Sequence, residues 1–143
     1  MKNKTALSLT SKIREIGNSF IIRKLKEYGL TNLAPSHGDV LFVLYKQDNS
    51  TMKDIADKIH RTKATLTVLI DKLEENGFVT REKSSQDNRN TLIVLTDKGK
   101  KLKPIFEQIS KELNDLLYNN FTEKEAYLLD SLLVKMVKNL SIK

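Results

Sequence analysis

The first thirty residues carry apolar side chains every three to five positions, which is the spacing of one face of an α-helix. The positions that follow this spacing are Leu9, Ile13, Ile16, Phe20, Leu25 and Tyr28. Ile21 and Ile22 widen the apolar face, and Gly29 is a typical helix stop. The pattern predicts a long amphipathic first helix.

The next helix is predicted to be buried, because the segment after the loop TNLAP is apolar almost all round. Its apolar residues are Val40, Leu41, Val43, Leu44 and Tyr45. Ser36 can cap its start, with Asp39 three residues later as the partner in a capping box. The turn-forming sequence QDNS then ends the helix.

Two short helices joined by a tight turn are predicted next. Thr51 is a suitable N-cap for the first, with Asp54 as its partner three residues later. After a break at Arg61, Thr62 caps the second helix, and Gly77 is placed as its C-terminal stop. This order of elements is typical of a helix-turn-helix.

The residues beyond Gly77 predict a β-hairpin. The sequence FVTRE alternates apolar and polar residues, TLIVL is rich in strand-forming residues, and the intervening KSSQDNRN consists of loop formers. The tip of this hairpin is long, polar and basic. A hairpin that follows a helix-turn-helix makes a winged helix-turn-helix.

Two further helices are predicted to complete the chain. Thr96 caps a fifth helix, which Pro104 should bend because proline cannot donate a hydrogen bond to the carbonyl of Lys100. Thr122 and Glu125 form a full capping box at the start of the last helix. Its apolar face, predicted to be buried, comprises Ala126, Leu129, Leu132, Leu133, Met136, Val137 and Leu140.

The composition excludes several classes of protein. The 143 residues suffice for a domain with its own core, and no apolar run approaches the ~18 residues that span a bilayer. The first ten residues lack the apolar centre of a signal peptide, so we expect a cytoplasmic protein without membrane contact. The absence of cysteine excludes disulfides, thiol redox sensing and cysteine-ligated zinc.

The net charge of +7 favours a polyanionic partner if the basic residues are clustered. Residues 1–30 carry seven basic and two acidic residues, and residues 61–103 carry ten and six. Residues 104–143 are slightly acidic. A solvated face remains an equal alternative for the first segment, whereas the helix-turn-helix pattern argues for DNA contact in the second.

The outward-facing residues of the second helix of the motif are candidates for contact with DNA, because the start of this helix meets base edges in the major groove. Lys63 is the one long base-reading candidate, and Ala64 can touch a thymine methyl. Arg61, Thr62 and Lys72 are better placed for phosphates. The remaining candidates are Thr65, Thr67 and Val68. The alternative is an exposed helix with threonines at ordinary caps.

The hairpin tip has a separate role in this interpretation. An arginine on a narrow hairpin can enter the minor groove, where negative potential is concentrated, and Arg89 is placed for that contact. Arg81 and Lys83 are further candidate DNA contacts on the hairpin. Asp87 can pair with Arg89, Arg81 or loop amides and so direct the arginine. The alternative is an Asp-Asn turn with an incidental arginine.

Two stretches of the chain carry a family resemblance. They are DIADKIHRTKATLTVLIDKLEENGFVTR, residues 54–81, and DNRNTLIVLTDKG, residues 87–99. Together, at this spacing and between flanking helices, they resemble the MarR family, the multiple antibiotic resistance regulators of bacteria and archaea. The second stretch fits the family's wing pattern of Asp-x-Arg, five residues, Leu-Thr, two residues and Gly.

The resemblance implies a mainly α fold with a small β-hairpin wing, in an obligate homodimer that binds a palindromic operator. Residues 1–34 would form an N-terminal dimerisation helix, residues 35–99 the winged helix-turn-helix, and residues 100–143 the C-terminal dimerisation helices. Wide apolar faces on the terminal helices agree with a partner chain. The two recognition helices should then lie about 34 Å apart, one turn of B-DNA.

The family's functional residues can be transferred by position. Residues 62–65, 67 and 68 correspond to the recognition helix, Arg89 to the minor-groove arginine and Asp87 to the acid that supports it. The chain departs from the family pattern in its turn, where His60 and Arg61 replace residues that are often apolar or glycine. It also has Val68 where relatives often have arginine, so its operator does not follow by analogy.

The resemblance further implies a small effector, often aromatic and anionic, bound between the dimer core and the winged domain. Residues that could line its site, each otherwise an ordinary core residue, are Phe20, Tyr28, His37, Leu41, Tyr45 and Phe106. A zinc sensor does not fit, since His37 and His60 lie in different elements and a lone histidine near a helix start usually hydrogen-bonds locally. We therefore expect no metal or other cofactor.

The sequence carries no P-loop, Gly-rich dinucleotide motif, His-Glu metal motif or nucleophile-base pair, and so does not predict an enzyme. The predicted function is sequence-specific regulation of transcription, with repression the commoner mode in the family and release by a ligand. The alternative is a winged-helix module for protein contacts without operator binding, since fold does not determine function.

Overall fold

The computed structural model describes residues 4–86 and 90–141. In this part of the chain the elements are α1 (Ala6–Glu27), α2 (Pro35–Lys46), β1 (Ser50–Thr51), α3 (Met52–Ile59), α4 (Lys63–Glu75), β2 (Val79–Lys83), β3 (Thr91–Leu95), α5 (Asp97–Lys101), α6 (Lys103–Leu117) and α7 (Glu123–Ser141). This order confirms the predicted mainly helical, winged helix-turn-helix fold. Of the helices described, none has the length and apolar character needed to cross a membrane.

The chain forms two compact units, Met1–Ser110 and Lys111–Lys143. The core of the first unit lies beneath the helix-turn-helix, where α2, α3, α4 and the sheet meet. Its fully buried side chains include Leu25, Val40, Leu41, Leu44, Ile55, Leu66, Ile70, Leu73, Val79 and Ile93. Leu102, just before α6, and Phe106 and Ile109 within it are also buried in this core.

Thr51, Thr62 and Thr96 cap helices of the first unit as predicted. The Thr51 hydroxyl accepts from the backbone N–H of Asp54 at 3.1 Å, and the Thr96 hydroxyl accepts from that of Gly99 at 3.0 Å. At the C-terminal end of α4, Gly77 has a φ of 79°. That left-handed residue lets the N–H of Phe78 reach the carbonyl of Leu73 at 2.9 Å, which satisfies the end of the helix.

The sheet has the strand order β1-β3-β2, and both pairs are antiparallel. The hairpin register runs from Val79 opposite Leu95 to Lys83 opposite Thr91. The sequence did not predict β1, since a two-residue strand has no alternation to detect. A carboxylate holds it near β3, because Asp48 Oδ1 accepts from the backbone N–H of Leu95 at 2.9 Å.

The predicted cap of α2 at Ser36 is wrong. The helix begins at Pro35, whose fixed φ suits the first helical position, and the residue before it is Ala34. His37, at the third helical position, supplies the reciprocal bond of a capping box, since its Nδ1 accepts from the N–H of Ala34 at 2.9 Å. A histidine near a helix start therefore bonds locally, as expected.

The predicted single bent helix after Thr96 is also wrong, because the structure contains two helices there. The short α5 ends at Lys101, and α6 begins at Lys103. Pro104 is the second residue of α6, a position where a missing N–H costs little. The proline therefore starts a new helix instead of bending a continuous one.

The second unit contains the end of α6 and the whole of α7. Thr122 and Glu125 form the predicted capping box, with bonds of 3.0 and 3.1 Å. The Tyr118 hydroxyl donates to Asp130 Oδ1 at 2.5 Å and joins the two helices. The predicted burial of the apolar face of α7 is wrong for the single chain: no residue of α7 is buried. The second unit consists of only two helix segments, which are too few to cover the apolar face of α7.

Candidate DNA-binding site

The turn between α3 and α4 determines how the helix-turn-helix presents its second helix. His60 occupies the left-handed region with a φ of 58°, which costs a residue with a Cβ about 1 kcal/mol. This conformation lets the N–H of Arg61 bond to the carbonyl of Ala56 at 3.1 Å and closes α3. The chain then leaves α3 directly into the Thr62 cap of α4.

The core fixes which side of α4 faces solvent. Leu66, Leu69, Ile70 and Leu73 point into the first unit. The predicted DNA-contacting residues of α4 and of the turn before it lie on the exposed surface: Arg61, Thr62, Lys63, Ala64, Thr65, Thr67, Val68 and Lys72. The structure therefore brings these candidates together on one face, and their contact with DNA stays a prediction.

The threonines at the start of α4 use part of their hydrogen-bonding capacity within the helix. The Thr62 hydroxyl accepts from the Thr65 N–H at 3.2 Å and donates to the Thr65 hydroxyl at 3.0 Å. The Thr67 hydroxyl donates to the carbonyl of Lys63 at 2.9 Å. The spacing that made Thr62 a candidate phosphate contact and Thr67 a candidate DNA contact does not show that both direct their hydroxyl hydrogens toward the protein.

The wing is described only up to its tip. The Ser84 N–H donates to the carbonyl of Asn90 at 3.0 Å, which extends the hairpin pairing beyond Lys83. Lys83 is exposed, as a phosphate contact requires. Arg89 and Asp87 lie outside the described residues, so their assignment to the minor groove and to wing support stays a prediction.

Arg81 lies at the base of the wing and contacts two carboxylates of α4. Its Nη2 is 2.6 Å from Asp71 Oδ1, and its Nη1 is 2.5 Å from Glu74 Oε1. The hydrogen bond to Asp71 is the main cause of the raised pKa of Arg81. Sequence reasoning placed Arg81 against DNA or Asp87, because pairs separated by seven and ten residues across two elements leave no local signal.

Lys98 of α5 contacts the C-terminal end of α4. This contact was not predicted from the sequence. Its Nζ donates to the carbonyl of Asn76 at 2.8 Å and lies 4.8 Å from the centre of the Phe78 ring. A cation at this position complements the negative end of the α4 dipole. Lys98, three residues after β3, thus contacts both the C-cap residue of α4 and the residue that precedes β2.

Two half-buried groups lie near predicted phosphate contacts. Burial lowers the pKa of His37, and the charge of Lys72 lowers it further. Burial raises the pKa of Asp39, against the opposing effects of Arg14 and Arg61. Asp39 thus places a carboxylate in the field of the arginine in the helix-turn-helix turn.

An open groove of about 490 Å³ lies between the starts of α3 and α4 and the base of the wing. Its lining comprises Thr51, Met52, Lys53, Asp54, Lys63, Thr67, Arg81, Asn90 and Thr91. Three of the predicted DNA contacts, Lys63, Thr67 and Arg81, therefore share one concave surface.

The predicted effector-lining residues have local structural roles. Leu41 and Phe106 are buried in the core, and the Phe106 ring packs over Gly38, where an added Cβ would lie 2.9 Å from it. The Tyr45 hydroxyl donates to the carbonyl of Gly99 at 2.8 Å, and burial raises its pKa. Phe20 lies 5.3 Å from the Arg23 guanidinium. The effector-binding role of these residues, and of Tyr28 and His37, stays a prediction.

Comparison with known sequences finds similarity to regulators of transcription. The family model described as MarR family matches residues 33–91. The HTH-type transcriptional regulator SarZ of Staphylococcus epidermidis is 31% identical over 115 residues, covering 78% of this chain and 74% of SarZ. The region matched by the family model includes the helix-turn-helix and most of the wing.

Comparison with solved structures gives the same result. A MarR transcriptional regulator from Methanosarcina mazei Go1 has a TM-score of 0.83 at 26% identity. The match covers 100% of this chain and 95% of the Methanosarcina chain. MepR of S. aureus, in a crystal structure of its DNA complex, has a TM-score of 0.86 at 29% identity. That match covers 96% of this chain and 99% of MepR. SarZ and the Methanosarcina protein are transcriptional regulators and not enzymes, which agrees with the class of protein expected from the sequence.

Proposed function

Because this chain belongs to the MarR family of transcriptional regulators, we propose that it is a cytoplasmic repressor that binds a palindromic operator as a homodimer. The observation that carries the proposal is the exposed face of α4, on which the candidate contacts gather beside a basic wing. The presence of DNA in the MepR structure supports the same mode of binding. Phosphate contacts would position the protein, and base contacts would give specificity.

The homodimer is proposed from uncovered apolar surface in each unit. In α1, Leu7 is 83% exposed and Ile16 is 60% exposed. In α7 the large exposed apolar residues are Tyr127, Leu128, Leu129, Leu132, Val134, Met136, Val137 and Leu140. Apolar faces of this extent mark interaction surfaces, and a second copy covers both by symmetry. A two-fold dimer would in turn require a palindromic operator.

Release by a small aromatic or anionic molecule is the remaining part of the proposal. It rests on the family resemblance, with Phe20, Tyr28, His37, Leu41, Tyr45 and Phe106 as the candidate lining.

The test of operator binding compares two labelled duplexes by fluorescence anisotropy. One carries the DNA upstream of the protein's own coding sequence, and the other carries the same bases in scrambled order. The proposal predicts at least a hundredfold tighter binding to the upstream duplex, since specific sites exceed non-specific DNA by about 10³ or more. Lys63→Ala should reduce this preference, because a lost base contact lowers specificity. Equal, weak binding of both duplexes would favour the protein-interaction module instead.

A further inference from the structure

The outward face of α4 presents aliphatic side chains where base edges would lie. Ala64 and Val68 are four residues apart, so they occupy adjacent turns of one face. Val68 is 67% exposed, the most of any large apolar residue in α3, α4 or the described parts of the wing. The core does not require this valine, because the buried face of α4 is formed by Leu66, Leu69, Ile70 and Leu73.

The threonine hydroxyls near Ala64 and Val68 make hydrogen bonds within the helix. The Thr67 hydroxyl donates its hydrogen to the Lys63 carbonyl, and the Thr62 hydroxyl donates to Thr65. In the free protein both hydrogens are therefore directed within the helix and not toward the groove-facing surface. On this stretch of α4, Lys63 is the long cation and it lies at the N-terminal end. The centre of the face is consequently suited to an apolar group on the DNA.

The major groove of unmodified DNA offers one apolar group on its base edges, the C5-methyl of thymine. We infer, building on the proposed operator binding, that Val68, with Ala64 beside it, reads thymine methyl groups. Each operator half-site then contains a thymine whose methyl packs against Val68. Lys63 would read or anchor the neighbouring position at the start of the helix.

The size of the effect follows from the area removed from water. Burial of one methyl-sized group contributes about 0.8 kcal/mol, which corresponds to about a fourfold change in affinity. A contact of this size is modest, but it acts in both half-sites of a palindrome. Loss of both methyl groups should therefore lower affinity about fifteenfold if the two half-sites act independently.

The experiment first selects tight-binding duplexes from a random-sequence library. Each thymine of the selected duplex is then replaced in turn by deoxyuridine, which removes the methyl group and leaves the hydrogen-bonding edge unchanged. For the native protein we expect one thymine in each half-site at which the replacement weakens binding about three- to fivefold. Val68→Ala should lose most of the discrimination between the thymine and uracil duplexes at that position.

The comparison is a double-mutant cycle between one side chain and one methyl group, so it separates their contact from general effects. Val68→Ala should fold normally, because the site is exposed and alanine is the better helix former. Val68→Thr keeps the branched shape, exchanges one methyl for a hydroxyl and should retain part of the discrimination. Glu75→Gln, at the exposed last turn of α4, should retain all of it.

Two results would overturn the inference alone. One is a selected duplex in which no thymine responds to removal of its methyl group. The other is a response of equal size in the native protein and in Val68→Ala. Failure to enrich any duplex is a different result, because it would overturn the proposed DNA binding itself and this inference with it.

Discussion

Arg81 Nη2 lies 2.6 Å from Asp71 Oδ1, and this ion pair joins the base of the wing to the outer side of α4. A second nitrogen of the same guanidinium contacts Glu74, one turn further along the helix. The three side chains are 30%, 60% and 40% exposed, so solvent screening limits their contribution to stability to about 1 kcal/mol or less. These contacts tie β2 to α4, so we expect their main effect to be bracing of the wing against the helix.

The first prediction separates this bracing role from direct contact between Arg81 and DNA. Asp71→Asn should weaken binding to the upstream duplex about two- to fivefold, because it removes one of the two carboxylates that hold Arg81 to α4. If Arg81 instead contacts phosphate, the same change should strengthen binding, since it frees a cation and removes an anion near DNA. The measurement is the dissociation constant by fluorescence anisotropy.

The control for this prediction is Glu82→Gln. Glu82 is exposed on the next position of β2, so the variant removes the same charge without removing a partner of Arg81. Its affinity should be unchanged or slightly higher than that of the native protein. Tighter binding by Asp71→Asn as well as by Glu82→Gln would contradict the bracing role.

The second prediction concerns Lys98 at the end of α4. Lys98→Gln should lower the free energy of unfolding by about 0.5 to 1 kcal/mol, through loss of the charged donor to the Asn76 carbonyl and of the dipole interaction. Urea denaturation measures the difference. Lys101→Gln removes an exposed cation from the same short helix and should leave stability nearly unchanged. An equal loss in both variants would assign the effect to net charge.

The third prediction is a pH dependence that originates at His37. Its Nδ1 must be unprotonated to accept from the Ala34 N–H, and burial lowers its pKa below the ordinary 6.5. The unfolded chain therefore binds the proton more readily. The contribution of His37 to stability is complete above pH 6.5 and is lost as the pH falls through the lower pKa of the folded state.

The His37 prediction is tested by comparison with His37→Gln, which keeps an acceptor at the third helical position but does not titrate. The free energy of unfolding should fall more between pH 7.5 and pH 5.5 in the native protein than in the variant. His60→Gln, at the exposed histidine of the turn, should retain the native pH dependence. Identical curves for the native protein and His37→Gln would disprove the effect.

The fourth prediction tests the proposed dimer. Leu132 of α7 is 49% exposed, so Leu132→Glu is tolerated by the single chain but places a charge in the proposed interface. Sedimentation should show the native protein at twice the chain mass of 16.4 kDa and the variant at that mass. Lys135→Glu, three residues away and also exposed, controls for charge. A native protein that sediments as a single chain would exclude the dimer.

The sequence predicted those parts of the fold that depend on local chemistry. The threonine caps at Thr51, Thr62 and Thr96 and the glycine stop at Gly77 each require one residue type at one position, so they can be recognised in a single sequence. The Ser36 cap was wrong because two other local preferences, those of Pro35 and His37, shift the start of α2. The strand β1 is too short to produce a pattern.

For the candidate site, the sequence predicted which residues are exposed, but it did not predict the contacts that their side chains make. Helical spacing alone places Lys63 and Val68 on the exposed face of α4. Spacing does not show that the hydroxyl of Thr67 bonds to the helix backbone, or that Arg81 is paired, because such contacts depend on side-chain conformation and on packing between elements. Arg89 and Asp87 lie outside the described residues, so their predicted roles are carried by the sequence motif alone.

The most direct test of DNA binding by this surface is the salt dependence of affinity for the upstream duplex. Each phosphate contact releases counterions, so the logarithm of the association constant should fall linearly with the logarithm of salt concentration, with a slope near −0.9 per contact. Contacts from Arg61, Lys72 and Lys83 in both chains of a dimer predict a slope of about −5. An affinity that does not change with salt concentration would contradict the proposed function.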